Sequence, residues 1–148
     1  MSTSRLLELL HMNLFGPIST VSLGGKYYRY VIMDDYFRYT WVHFLRSKNE
    51  AFQIFAKFNK SVQKKKSTEI SKVRSDHGKE FENLEFKSFY EDHGITHQFS
   101  TPRTPQQNGV VERKNRTLIE MARSMLCENR LPKYFWVETV NTACYITN

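Results

Sequence analysis

The sequence predicts an α/β fold, a mixed sheet covered by helices on both faces. Three features of residue order predict it. β-branched and aromatic runs crowd the chain up to Leu45, strand-like and helix-like stretches then alternate, and the part after Asn108 has helical periodicity. An antiparallel meander that feeds βαβ-like units produces this architecture. The chain has 148 residues, 40% hydrophobic and 14% aromatic, enough for one domain with a real core, and this argues against disorder.

Each element has a local reason. Leu6 to Leu10 and Met12 to Phe15 are apolar around His11 and Asn13 and close at Gly16-Pro17, a first strand ending in a turn. Gly24-Gly25 marks a hairpin loop before Tyr27 to Met33, a run apolar on both faces. Tyr39 to Leu45 reads as a third strand with the same two-sided burial. Ser47 with Glu50 has the capping-box form, and Ala51, Phe55, Phe58 and Val62 recur at helical spacing as far as Lys64-Lys65-Lys66. That basic run is either a solvated helix end or a DNA contact. Ile70 to Ser75 is a fourth strand that presents Asp76 and breaks at Gly78. Asn83 caps a short helix with Phe86, Phe89 and Tyr90 inward and Gly94 past its end, and Ile95 to Phe99 forms a fifth strand. A loop from Ser100 to Asn108 leads to a long helix burying Val111, Leu118, Ala122 and Met125, with Glu112, Asn115, Arg116 and Ile119 on another face. A last helix opens near Leu131-Pro132 and buries Trp136, Val140 and Ala143 or Cys144.

The formal charge of +7, from 22 Lys and Arg against 15 Asp and Glu, suits a polyanion or an acidic membrane surface. No apolar run approaches the roughly 20 residues needed to cross a bilayer, and the N-terminus lacks the form of a secretion signal, so a soluble intracellular chain is expected. Cys127 and Cys144 show no CxxC or zinc-finger spacing and are expected as reduced core thiols. His11, His43, His93 and His97 have no metal spacing among themselves and are expected in packing or surface positions.

Two stretches carry chemistry. Thr104-Pro105-Gln106-Gln107-Asn108-Gly109-Val110-Val111-Glu112-Arg113-Lys114-Asn115-Arg116-Thr117 sets one carboxylate among cations early in a helix. Its plain reading is a solvated first turn beside the positive end of the macrodipole. Its sharper reading is a metal ligand beside a phosphate-binding face. Arg74-Ser75-Asp76-His77-Gly78-Lys79-Glu80-Phe81 favours the second, because 35 residues separate Asp76 from Glu112.

This pair resembles the catalytic core of retroviral and retrotransposon integrases, the D,D-35-E family. SDHGKEF, TPQQNGVVERKNRTL, DDYFRYTWVHFL and LPKYFWVE are most similar to the copia-type LTR retrotransposon branch. The resemblance covers nearly the whole chain and implies a ribonuclease-H-like fold with a mixed five-stranded sheet. It departs at one place: where the family has its first catalytic aspartate, in a His-x-Asp-x-x-Gly-Pro segment, this chain reads His11-Met12-Asn13-Leu14-Phe15-Gly16-Pro17.

The resemblance implies a polynucleotidyl transferase that processes 3′ ends of element DNA and joins them to target DNA. Two Mg²⁺ or Mn²⁺ ions roughly 4 Å apart activate the attacking oxygen and stabilise the leaving one. Carried over, Asp76 and Glu112 are ligands and Asn13 holds the bridging position. A neutral amide cannot bridge two cations as an anion does, so weak or single-metal binding and a large loss of activity are expected. Asn13 is then an inactivating substitution or the decay of an element copy, unless Asp34 supplies another ligand. Asp34 is otherwise a solvent-exposed turn residue.

Asn115 and Arg116 match residues on the family's catalytic helix that face DNA. Arg103, Gln106, Gln107 and Asn108 resemble a mobile flap whose amides and guanidinium suit phosphate and base contacts. His77 either donates to a phosphate or closes its turn. Arg29, Arg38 and Lys60 either solubilise the chain or line a basic groove. The implied partners are double-stranded DNA and further copies in a homodimer or higher multimer, with no membrane; the implied locations are nucleus and cytoplasm. Residues 1–148 read as the core alone, without the family's zinc module or C-terminal DNA-binding region. The rival reading is a catalytically inactive DNA-binding or self-associating relic, and a nuclease of the same fold is a third.

Overall fold

A computed structural model describes residues 3–100 and 105–148, the second stretch with side chains from Gly109 onward. Five strands form one sheet: β1 (Leu9–Phe15), β2 (Tyr28–Asp34), β3 (Thr40–Leu45), β4 (Lys72–Ser75) and β5 (Thr96–Phe99), in the order β3-β2-β1-β4-β5. β1 runs antiparallel to β2, which runs antiparallel to β3; β4 is parallel to both β1 and β5. The meander and the parallel extension expected from residue order are both present. β1 is followed by Gly16, whose φ of +133° and close approach to the Tyr27 carbonyl, 2.8 Å from where a Cβ would stand, admit only glycine without strain.

The sheet has two differently filled faces. On one, α1 (Ala51–Lys66) and α2 (Leu84–His93) bury an aromatic core in which Phe55, Phe81 and Phe86 are fully enclosed against Leu10, Met12, Tyr30, Ile32 and Val73. The expected start of α1 is a 3-10 turn over Lys48–Glu50, where Glu50 Oε2 accepts from the Ser47 amide at 3.0 Å. Asn83 Oδ1 caps α2 by accepting from the Phe86 amide at 3.0 Å, and Gly94 ends it in the left-handed region at φ +66°. On the other face α3 (Pro105–Glu128) and α4 (Trp136–Thr147) bury Val111, Leu118, Ala122, Trp136, Val140, Ala143 and Cys144.

Four expectations change. α3 begins at Pro105, so residues 105–108 belong to the helix rather than to the loop. Proline's fixed φ suits the first helical position and starts the helix early. β3 is an edge strand, and Trp41, Val42, His43 and Phe44 are half-buried, short of burial on both faces. Cys127 is exposed near the end of α3, while Cys144 is buried with its thiol donating to the Thr40 carbonyl at 3.3 Å. Asp34 is wholly buried at the end of β2, where its carboxylate accepts from the amides of Leu7 (2.8 Å) and Phe37 (2.7 Å). Among the described residues, no helix is long and apolar enough to cross a membrane.

Candidate active site

Strand register brings two of the three sequence-predicted positions together. β1 pairs with β4 as Leu9↔Lys72, Leu10↔Val73 and His11↔Arg74; the same register carried two residues past that last pair leads to Asn13 and Asp76. Neighbouring strands lie about 4.8 Å apart. Alternation fixes the direction on the strands: Leu10, Met12 and Val73 enter the aromatic core, so Asn13 and Arg74 point to the opposite face, and Asp76 lies just past the end of β4. Asn13 also pairs with Val31 of β2, which packs with Phe15 under Val111 of α3. The helix crosses this end of β1, and Glu112 follows the buried Val111 into an open groove floored by Phe15 and Arg29.

Glu112 is the eighth residue of α3, two turns inside the helix. The macrodipole acts within the first turn, so a dipole-stabilised terminal carboxylate no longer describes it. Asp76 sits one residue past β4, exposed, with Oδ1 accepting from the Gly78 amide at 2.8 Å. Its turn is braced by Ser75, whose hydroxyl lies 2.7 Å from His97 Nε2, and by His77, stacked on Phe99 at 4.3 Å with Nδ1 2.9 Å from Glu82. His77 therefore closes the turn.

The donor set is two carboxylates and one amide, all hard oxygens, which fits a divalent cation of the Mg²⁺ or Mn²⁺ kind. Among the described residues no three His, Cys, Asp or Glu side chains come together to hold a metal, so the third acid of a two-ion site has no replacement there. Asp34 cannot serve: it pairs with Leu10, three residues before Asn13 and on the order of 10 Å away, and both of its oxygens are engaged by backbone amides.

Arg29, expected either as solubilising charge or as part of a basic groove, lines the groove that Glu112 enters. Opposite Phe15 on β2, it donates to Asn115 Oδ1 at 3.3 Å and lies over the Phe15 ring at 5.7 Å. Burial, and then the charge of Arg123, bring its pKa down from 12.5 to about 10. Only the unusual pairing of a cation with the inward face of a strand hinted at this. Arg116 lines the same groove, whereas Lys60 lies on α1 across the sheet and Arg38 pairs with Asp35 at 3.2 Å, so the three scattered cations Arg29, Arg38 and Lys60 form no single groove. Arg103 lies outside the described residues, and so do the side chains of Gln106, Gln107 and Asn108.

The remaining histidines pack as expected. His11 Nε2 meets Asp35 at 2.7 Å, His93 stacks on Phe89, and His43 lies between Tyr30 and Phe58. Burial holds the His11 imidazole below its usual pKa despite the Asp35 carboxylate, and lowers those of His43 and His97 as well.

A sheet ordered β3-β2-β1-β4-β5, with helices on both faces and an acid-bearing helix across the end of its central strand, is the ribonuclease-H-like architecture. Solved structures share it. The chain superposes on a chain of the simian T-cell lymphotropic virus intasome in complex with PP2A regulatory subunit B56 gamma, with a TM-score of 0.77 at 16% identity, covering 98% of this chain and 49% of that one. It superposes on the HTLV-2 integrase catalytic core domain in complex with magnesium, dimeric form, with a TM-score of 0.69 at 17% identity, covering 95% and 85%.

The integrase core domain family matches residues 4–105, and the chain belongs to that family, in the copia-type LTR retrotransposon branch. It is 43% identical over 143 residues to the retrovirus-related Pol polyprotein from transposon TNT 1-94 of Nicotiana tabacum, covering 97% of this chain and 11% of that polyprotein. It is 34% identical over 149 residues to the Pol polyprotein from transposon RE2 of Arabidopsis thaliana, covering 99% and 10%. The chain thus spans about a tenth of the length of these relatives.

Proposed function

We propose that this chain is the catalytic core of a polynucleotidyl transferase that processes 3′ ends of element DNA in the nucleus and joins them to target DNA, and that Asn13 disables it. The observation that supports the reading is the parallel β1–β4 register, Leu9↔Lys72 to His11↔Arg74, which runs toward Asn13 and Asp76 while α3 carries Glu112 over β1. Asp76 and Glu112 would hold the divalent cation, with the Asn13 amide oxygen as a neutral third donor. A bound cation of this kind makes the attacking oxygen nucleophilic and neutralises charge on the phosphate. The chain's own part is to position: β1 and β4 fix two donors on a rigid sheet, and Asn115 and Arg116 present an amide and a guanidinium to the DNA backbone.

One charge separates activity from its loss. An amide in place of the bridging carboxylate would remove the one anionic donor able to serve two cations, so weak or single-ion binding and little turnover would follow. Strand transfer on branched DNA, the reverse of joining, tests this in Mn²⁺ or Mg²⁺ with the chain and its Asn13→Asp variant. The expected result is a silent parent and a variant faster by at least about 10²-fold, the scale of losing one electrostatic element of an active site. Activity in both would show that Asn13 is no lesion. Silence in both, with folding verified by circular dichroism, would favour the second reading, an inactive DNA-binding or self-associating relic, which the Asn13 amide itself supports. Multimers are part of the transferase reading, since joining acts on two DNA ends.

A further inference from the structure

Beyond the carboxylates, the groove holds an unneutralised pair of cations. Arg29 projects from β2 on the face that carries Asn13, and its Nε is buried without a hydrogen-bond partner among the described residues. Arg123 lies on the same stripe of α3 as Glu112 and Arg116, eleven residues or about 16 Å beyond Glu112, and lines the groove with Arg29. Glu112 and Glu120 also line it, yet among the described residues none of these three arginines forms an ion pair. Packing accounts for only part of Arg29: Phe15 and Asn115 hold its plane but supply no negative charge. A guanidinium cannot shed its proton at neutral pH, so both arginines stay charged and an anion between them would offset their repulsion.

We infer that Arg29 and Arg123 form an anion subsite for a DNA phosphate, in the groove that Glu112 enters and extending along α3 away from it. Two planar forks with the Asn115 amide beside them suit the paired oxygens of a phosphodiester. The inference rests on the transferase reading for its ligand, but the subsite itself depends only on phosphate chemistry. Half-burial of Arg29 against Phe15 gives it a fixed orientation, whereas the exposed Arg116 and Arg123 are free to adjust. The strand would then be held at a distance from the reacting phosphate, which aligns it there.

Fluorescence anisotropy of a labelled 20-base-pair duplex, in EDTA so that no metal takes part, tests the subsite across 50 to 200 mM NaCl. The variants are Arg29→Met/Arg123→Gln, which keeps the Arg29 stem on Phe15, and the control Lys60→Gln, which removes a charge from the opposite face. Affinity should fall about tenfold in the double variant, and the slope of log K against log salt should shrink by roughly one to two, one phosphate contact per unit. Lys60→Gln should leave that slope unchanged. A double variant that behaves like Lys60→Gln overturns the subsite and leaves the transferase reading intact. In a parallel measurement, pyrophosphate should raise the melting temperature of the parent and not of the double variant; equal shifts, or none, overturn the subsite. If the parent fails to bind duplex, the transferase reading falls, and the pyrophosphate result alone decides whether the anion subsite exists.

Discussion

The two faces of the sheet are built on opposite terms. Under α1 and α2 lies one continuous apolar core, in which Phe55 alone contacts the rings of Phe58, Phe86, Phe89 and Tyr90. Under α3 and α4 the apolar contacts break into small clusters, and polar groups enter between them: Asn13, Arg29 and Asn115 at one end, the Thr40 carbonyl with Cys144 and Asn148 at the other. A face that seals out water can stabilise a fold but cannot reach a solvated polyanion. A face that admits polar groups gives up apolar burial for access. The same sheet thus holds its continuous apolar core on one side and the candidate site on the other.

Restoring one charge on the open face has the largest expected consequence, the gain of activity in Asn13→Asp described above. Truncating the sealed face comes next. Phe55→Ala should cost about 3–5 kcal/mol in urea unfolding, because a fully enclosed ring leaves a cavity. Ile119→Ala, half-buried in the groove, should cost only about 1 kcal/mol. Equal losses at the two positions would abolish the contrast between the faces.

Asp34 sharpens the comparison from the other direction, since it is an acid that serves structure. Asp34→Ala orphans the Leu7 and Phe37 amides and should cost about 2–3 kcal/mol while leaving Mg²⁺ affinity, measured by calorimetry, unchanged. A drop in Mg²⁺ affinity in a folded variant would return Asp34 to the site. The smallest effect concerns pH. His11, His43 and His97 all have folded-state pKa values held below 6.5 by burial, so the unfolded chain binds more protons as pH falls. The stability is whole above pH 6.5 and is lost on acidification from there toward the folded values. Urea midpoints at pH 7.5 and 5.5 should therefore fall in that order, less steeply in His43→Phe; a midpoint that rises on acidification contradicts the sign.

Much of this was legible where local chemistry governs. Ala51, Phe55, Phe58 and Val62 recur at helical spacing and are all buried, and the Asn83 cap and the Gly94 stop fall where their side chains require. Boundaries slipped where tertiary contacts or a single residue decide: Pro105 began α3 earlier than the polar Gln106-Gln107-Asn108 run suggested, and β3 became an edge although its composition matches that of β2. Asp34 misled for the same reason. An Asp-Asp pair after a strand looks like an exposed turn, and nothing local reveals that the chain near Leu7 folds back to donate an amide to it.

By itself, then, the sequence determined the element types, the α/β class, the membership carried by its motifs, and the departure at Asn13, because periodicity, capping and short motifs are written in neighbouring residues. Tertiary structure alone decided that β1 and β4 run side by side toward Asn13 and Asp76, that Asp34 is sequestered, and that Arg29 and Arg123 line one groove. Those relations join residues far apart in the chain, and only strand register and helix packing bring them within reach of one another.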